Sequence, residues 1–454
     1  MGRRFFWVVC ALGLGVRLVG LDAWGTFDVE VQKAWALRAA ENLGDIYGPS
    51  DRQIVAEAAR AGGLWPLVTG EKRFPRTEFT WGTARYFIDY PPGSLLVLAL
   101  EGRIYRALRP DAPNKPLLNA LVNLGPLLAS LALAGLLYRS ASSPSSGASR
   151  AASFWLNPAV IFAAPFLGYP DPIFSVLAVA SILVLARGRL SLAAGLGAAA
   201  ALVKPQGVLL APVIFGVLAR RRDAKEWAKA VFAGILATVA ILAPWWTQGY
   251  VLSALDGLRR PFSQGTLSAL GLNVWWVAGW FADNTAGEGS GLARIWTIDA
   301  FTAAAGFDPT IMARLALAMA LLFVFLWTWR RRVESEGGLA LAAIIIVHTY
   351  ALLSTSVHEN HTFLAVALAP LLLYGVPWAR TVLVATSIFL ALSLFFAAGL
   401  GRRVTRLRTI EDLRFQMGLD PTVVIAVLHV ALVVLLWWLF ARVTRKPRED
   451  PLTP

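Results

Sequence analysis

The stretch that decides the fold opens with Phe27-Asp28-Val29-Glu30-Val31-Gln32-Lys33-Ala34-Trp35. It closes with Trp81-Gly82 and Ile88-Asp89-Tyr90-Pro91-Pro92. One apolar segment, Phe5 to Leu21, precedes it behind Arg3 and Arg4, and nearly everything after it alternates apolar spans with short connections. A membrane chain that sets aside so long a polar stretch straight after its first span is building something there. The pattern predicts an active site at a membrane face, carried on a first extracytoplasmic loop over residues 22–92.

Composition supports the membrane part of that reading. Of 454 residues, 57% are hydrophobic and only 15% charged, whereas ordinary soluble domains carry about 25% charge. The apolar segments recur at lengths suited to a hydrocarbon core of roughly 30 Å, which predicts an all-α polytopic protein. A membrane barrel would show short alternating strands, and the sequence has none. The net charge of +14 lies mainly in short connections and at the termini. Anionic headgroups account for that bias, so nucleic acid is not an expected partner. Cys10, the one cysteine, sits inside the first apolar segment, which excludes a disulfide framework and a thiolate metal site. The basic start lacks a small-residue cleavage signal and reads as a retained first span.

Arg3 and Arg4 place the N-terminus in the cytoplasm and the Asp28 loop outside. Within that loop Val31–Leu43 and Ile54–Ala61 are expected to be helices along the membrane surface. Further spans are expected over Leu117–Tyr138, Ala152–Leu167 (after a Ser-rich connection, Ser140–Ser149), Ile173–Leu185, Leu190–Val203, Val208–Leu218 and Phe232–Trp246. The rest are Met312–Trp329, Leu339–Ser354, Thr362–Val376, Thr381–Ala398 and Val423–Phe440. Basic clusters at Arg187–Arg189, Arg220–Lys229, Arg330–Arg332 and Arg442–Arg448 mark the inner ends. Gly93–Leu108, with Glu101, Arg103 and Arg106, breaks the parity: either it is partly interfacial or re-entrant, or one of the later spans is misplaced. About 11–13 spans are expected, in one integral domain over 1–454, with a long outer connection at 249–309 as an acceptor-side cover.

This topology gathers the polar motifs on the outer face. Asp28 and Glu30 suit a general base that deprotonates a hydroxyl; they also suit ordinary acids at a helix start. Asp171, in Gly168-Tyr169-Pro170-Asp171-Pro172, either lines a cavity at a helix break or caps a tight turn. Lys204-Pro205-Gln206 offers a point charge for a phosphate or a snorkelling anchor. In His358-Glu359-Asn360-His361, the i, i+3 histidines leave three readings open: a metal site, phosphate recognition or a hydrogen-bonded turn. Tyr90 can sit at headgroup level, Asp89 can touch a ligand or cap, and Arg85 can approach a phosphate. Asn273 is a candidate substrate hydrogen bond, while His348 and His429 read as buried hydrogen-bonding residues.

Taken together, the Phe27–Trp35 run, Trp81-Gly82, Asp89-Tyr90-Pro91-Pro92, Asn157-Pro158 with the outer-face break, and His358-Glu359-Asn360-His361 resemble a known family in order. They look like the polyprenyl-phosphate-sugar-dependent C-type (GT-C) glycosyltransferases, including the dolichyl-phosphate-glucose enzymes of N-glycan precursor assembly. The break lacks the His- and Asn-bearing sequence of the eukaryotic members, and Asn360 stands where a basic residue is common. Bacterial and archaeal relatives that use polyprenyl-phosphate mannose are resembled at least as well. The resemblance implies a GT-C fold and an inverting, metal-independent transfer of glucose or mannose from a polyprenyl-phosphate donor to a lipid-linked glycan or other envelope acceptor. It implies Asp28 as base and Lys204 and His358 as the groups that stabilise the phosphate leaving group; Gln206, Glu359 and His361 stand beside them as substrate-binding candidates. No cofactor is implied; the expected setting is a monomer in a prokaryotic plasma membrane, in contact with its lipids.

Two other classes are considered. A transporter would favour pseudo-symmetric halves and ionisable residues at the bilayer midplane. An O-antigen ligase or polymerase would concentrate its polar surface in a late outer loop. Here the polar clusters collect on one predicted face and an early acidic loop dominates.

Overall fold

The structure is a computed structural model and describes residues 2–21, 23, 25–60, 78–81, 84–88, 90–111, 114, 116–259, 265–285, 295–331, 333–396 and 420–444. Gly82 and Asp89 of the first loop, Arg332, and the C-terminal Arg445, Lys446 and Arg448 lie outside the described residues.

The helix α1 (Gly2–Gly20) leads to α2 (Phe27–Glu41), α3 (Asp51–Arg60), an antiparallel hairpin of β1 (Phe79–Trp81) and β2 (Ala84–Tyr86), and α4 (Pro92–Leu108). Then come α5 (Pro116–Ser140), α6 (Pro144–Trp155), α7 (Asp171–Ala186), α8 (Leu190–Val203), α9 (Ala211–Arg221) and α10 (Ala224–Gln248). The chain continues through α11 (Val251–Arg259), α12 (Val274–Thr285), α13 (Ile298–Ala305), α14 (Pro309–Arg331) and α15 (Glu336–Leu353). It ends with α16 (Phe363–Leu368), α17 (Ala379–Phe396) and α18 (Pro421–Val443).

Among the described residues six helices, α5, α10, α14, α15, α17 and α18, are long and apolar enough to cross a membrane. Burial shows how they are used. The apolar window of α14 is 11% buried, so its apolar side chains are left for lipid, whereas that of α15 is 89% buried and belongs to the interior of the protein. Helices α7, α8 and the apolar run Phe363–Leu372 are shorter, and α1 carries Arg3, Arg4 and Arg17 within its 19 residues. Apart from the hairpin, the described residues form an all-α, multi-pass integral membrane protein, in which α1 to α4 precede the first of the six.

The contacts divide the chain into two compact units. The first comprises Met1–Ser181, Ala194–Val208 and Val231–Gln264; the second comprises Ile182–Ala193, Leu209–Ala230 and Gly265–Pro454. In the first, α2 and α4 lie together over a core that includes Trp35, Ile46, Tyr47, Leu98, Tyr105 and Trp245. Gly102 permits the close approach: a Cβ there would meet the Ala36 carbonyl oxygen at 2.1 Å. Asn119 and Asn123 of α5 donate to the Ala23 and Leu21 carbonyls at 2.7 and 3.1 Å, satisfying acceptors that the end of α1 leaves open. Arg17 of α1 is fully buried, 3.8 Å over the Trp155 ring, and donates to the Trp155 carbonyl at 2.8 Å.

In the second unit α15 packs against α14, α16 and α18. His348 Nδ1 lies 3.1 Å from His429 Nε2, and His429 Nδ1 lies 3.1 Å from the Leu272 carbonyl oxygen. A carbonyl only accepts, so His429 carries its proton on Nδ1 and receives one from His348.

Several expected elements differ, each for a local reason. The helix expected at Val31 begins at Phe27, so Asp28 and Glu30 lie in its first turn, where acids suit the positive end of the helix. The span expected over Ala152–Leu167 is not one helix, and most of its Ser-rich lead-in is helical. Ser143 and Ser146 form a reciprocal cap that starts α6 at Pro144. Asn157 then caps a short turn at Pro158–Ile161, and Phe162–Phe166, with Pro165 inside, is wound as a π-helix. Each proline removes a backbone donor, and the two, seven residues apart, coincide with the turn and the π-helix that replace one straight span. Val208–Leu218 starts as a tighter 3-10 turn, Pro205–Leu210, before α9; Thr362–Val376 ends its helix at Leu368 and turns through Pro370. The connection 249–309 holds α11, α12 and α13.

Candidate functional site

The first unit brings the start of α2 onto the break before α7. Gly25, at φ +65°, turns the chain sharply, and Thr26 lies extended as the residue preceding α2. The Thr26 amide and hydroxyl both donate to the Leu167 carbonyl, at 3.1 and 3.2 Å. One turn on, Gln32 donates to the Gly168 carbonyl at 3.0 Å. Gly168 has φ +75°, and a Cβ there would lie 2.1 Å from Val29 Cγ2, so both the turn and the packing require glycine.

These ties hold Asp28 exposed at the first turn of α2. Glu30 is paired with Lys33 on the same helix. Asp171 opens α7, is fully buried, and accepts from Lys204 Nζ at 2.7 Å; the lysine side chain is 8% exposed and lies 5.7 Å over the Phe174 ring. Lys204 itself stands between α8 and the 3-10 turn that holds Gln206, also buried. Ser94, in the first turn of α4, donates to the Val203 carbonyl at 2.6 Å and so docks α4 beside the lysine.

Tyr90 lies in the field of both carboxylates. Its ring packs against Trp35 with centroids 5.0 Å apart, and its carbonyl accepts from the Tyr47 hydroxyl at 2.7 Å. Burial pushes its phenol well above the ordinary tyrosine range, and the charges of Asp28 and Asp171 push it further, which places the phenol within the field of both acids. Tyr90 is therefore a neutral hydrogen-bonding group at any physiological pH. Arg85 lies on β2, opposite Thr80, is largely exposed, and approaches Glu78 at 3.9 Å. Asp89 lies outside the described residues.

The second unit holds the other expected site residues. His358 to Thr362 forms a turn, not a helix, leading into α16. The ring centroids of His358 and His361 are 5.4 Å apart, and His358 Nδ1 is 4.0 Å from Glu359 Oε2. The His358 amide donates to His361 Nδ1 at 3.4 Å, so that nitrogen is the acceptor and the ring proton sits on Nε2. The Tyr350 hydroxyl lies 3.3 Å from the same nitrogen. Asn273 is fully buried: its carbonyl caps α12 through the Trp275 and Trp276 amides, each at 3.1 Å, and its amide donates to the Ser354 carbonyl at 3.0 Å. Among the described residues no group of three or more His, Cys, Asp or Glu side chains could hold a metal ion.

Sequence reading missed Gln32 as a positioning residue, the Asp171–Lys204 pair as a unit, and the buried Glu101. No local pattern points to Gln32, since its partner is a backbone carbonyl 136 positions away. No family model matches the chain, and no curated protein matches it significantly.

Proposed function

We propose that this protein is an inverting glycosyltransferase that moves a hexose, glucose or mannose, from a polyprenyl-phosphate donor to a hydroxyl acceptor at the extracytoplasmic membrane face. The observation that carries the reading is the juxtaposition within the first unit: an exposed carboxylate, Asp28, at a helix start tied to the same break that sets Asp171 against Lys204. The order of motifs from Phe27 to His361 adds the resemblance.

In this reaction the acceptor oxygen attacks the anomeric carbon as its proton passes to Asp28. The bond from that carbon to the phosphate oxygen breaks, and the donor phosphodiester leaves as a phosphate monoester with one more negative charge. Lys204, held in place by Asp171, supplies positive charge that grows more valuable as the leaving oxygen charges up, so it binds the transition state more strongly than the donor. Tyr90 offers a neutral hydroxyl beside the base. The phosphate is a good leaving group, so the reaction is written with no divalent ion.

A transporter is the second reading, and the Asp171–Lys204 pair favours it: buried opposite charges at broken helices also mark ion and substrate paths. One experiment separates the two. The protein in nanodiscs is offered radiolabelled polyprenyl-phosphate sugars with membrane lipid extract, with and without EDTA, beside Asp28→Asn. The expected result is transfer that survives EDTA and falls about 10²–10⁴-fold in the variant, with donor binding retained. Transfer equal in Asp28→Asn overturns the base assignment. No transfer and no donor binding from folded protein overturns the enzyme and leaves transport.

A further inference from the structure

At the ends of α2 and α4 remote from Asp28 and Tyr90 there is an open cleft of about 380 Å³. Its polar lining comes from the last turn of α2 (Arg38, Glu41), from Thr80 of β1, and from Tyr105, Arg106 and Arg109 at the end of α4. Asp111 lines it as well, so three arginines stand against two acids. The transfer reaction proposed above uses none of these residues.

The donors here outnumber the acceptors. Glu41 is shared by Arg106, which bonds one of its oxygens, and Arg38, 3.4 Å from the other. Arg109 makes no ion pair among the described residues. Arg38 Nε is buried and finds no hydrogen-bond partner among them. Tyr105 is fully buried, and its hydroxyl also finds none among them although the residue lines the cleft. A buried phenol left unpaired is unfavourable, and a guanidinium can only donate. What satisfies this set is a ligand rich in acceptors, carrying negative charge and fitting the planar fork of arginine. A neutral sugar would leave the positive charge unanswered.

We propose that this cleft holds a phosphate group, from a lipid headgroup or from a free phosphorylated ligand, through Arg38, Arg109 and the Tyr105 hydroxyl. The inference does not rest on the transfer reaction and survives its failure, because the test reads binding alone.

The full-length protein is purified in a non-ionic, phosphate-free detergent and titrated calorimetrically with inorganic pyrophosphate and, separately, with short-chain phosphatidylglycerol. Short-chain phosphatidylcholine, whose headgroup is neutral overall, serves as the control. Arg109→Gln and Tyr105→Phe are compared with wild type, and Arg52→Gln on α3, which does not line the cleft, is the reference variant. The expected result is saturable binding of one anionic probe, weakened at least tenfold in Arg109→Gln and several-fold in Tyr105→Phe, with Arg52→Gln unchanged. Tyr105→Phe keeps the buried ring and so separates loss of the hydroxyl from loss of the fold. Tighter binding of pyrophosphate assigns the cleft to a free phosphorylated ligand, and tighter binding of phosphatidylglycerol assigns it to a headgroup. No saturable binding of either, or binding equal in Arg109→Gln and wild type, overturns the proposal.

Discussion

Asp171 and Lys204 are the residues where electrostatics and position meet. Their charged atoms lie 2.7 Å apart with the carboxylate fully out of solvent. Such a pair adds little net stability, because removing both charges from water costs nearly what their attraction returns; breaking it is the severe event. Asp171→Asn leaves an ammonium buried without its counter-charge and is expected to destabilise the protein by about 3–5 kcal/mol. Lys204→Met combined with Asp171→Leu removes both charges and is expected to recover most of that loss. Thermal unfolding in nanodiscs measures both; a double variant as unstable as Asp171→Asn would mean that a hydrogen-bond network, not the missing charge, sets the penalty. Sequence could place each residue at a helix break, but not the pairing. The two lie 33 positions apart, and only the docking of the break onto the end of α8 brings them together.

At the scale of elements, α4 carries a group that helices seldom bury. Glu101 is buried where α4 meets α5, and a Cβ on Gly125 would come within 2.5 Å of its Oε1. Burial raises the Glu101 carboxyl well above its ordinary value of 4.5, and the Gly125 backbone amide opposes this only in part. The folded protein therefore keeps the proton at pH values where the unfolded chain has released it. Stability is full below about pH 4.5 and falls as pH rises toward the folded-state value, by up to about 1.4 kcal/mol per pH unit. Glu101→Gln is neutral throughout and removes that slope. Melting curves from pH 5 to 8 are expected to show the variant gaining on wild type as pH rises; a constant gap would mean Glu101 is ionised in the fold. The sequence marked this segment as anomalous by its charges. It did not reveal that the acid points inward, because that depends on which face of α4 meets α5. By contrast α8 spans Leu190–Val203 as read from sequence, since a continuous apolar run bounded by Arg189 and Lys204 leaves one solution.

For the whole molecule, long apolar runs were legible because length and hydropathy suffice, as in α5, α14, α15 and α18. The segments around Pro158, Pro165 and Pro370 were not, because a proline inside an apolar run leaves hydropathy unchanged while breaking the backbone ladder. The sidedness of the candidate site follows from charge bias, and it can be tested with one cysteine at a time, since Cys10 is buried. Glu57 on α3 and Ser145 at the start of α6 are both exposed, and α5, 25 residues long, lies between them in the chain. If α5 crosses the bilayer and α4 (Pro92–Leu108) does not, the two residues face opposite compartments. With the N-terminal arginines inside, Glu57→Cys is expected to react with a membrane-impermeant maleimide on intact cells, and Ser145→Cys only after permeabilisation. The reverse pattern would put Asp28 in the cytoplasm and remove the extracytoplasmic site. Equal labelling of both from one side would mean that α4 crosses as well as α5, or that α5 turns back within the membrane. In either case the topology would have to be rebuilt from α4 onward.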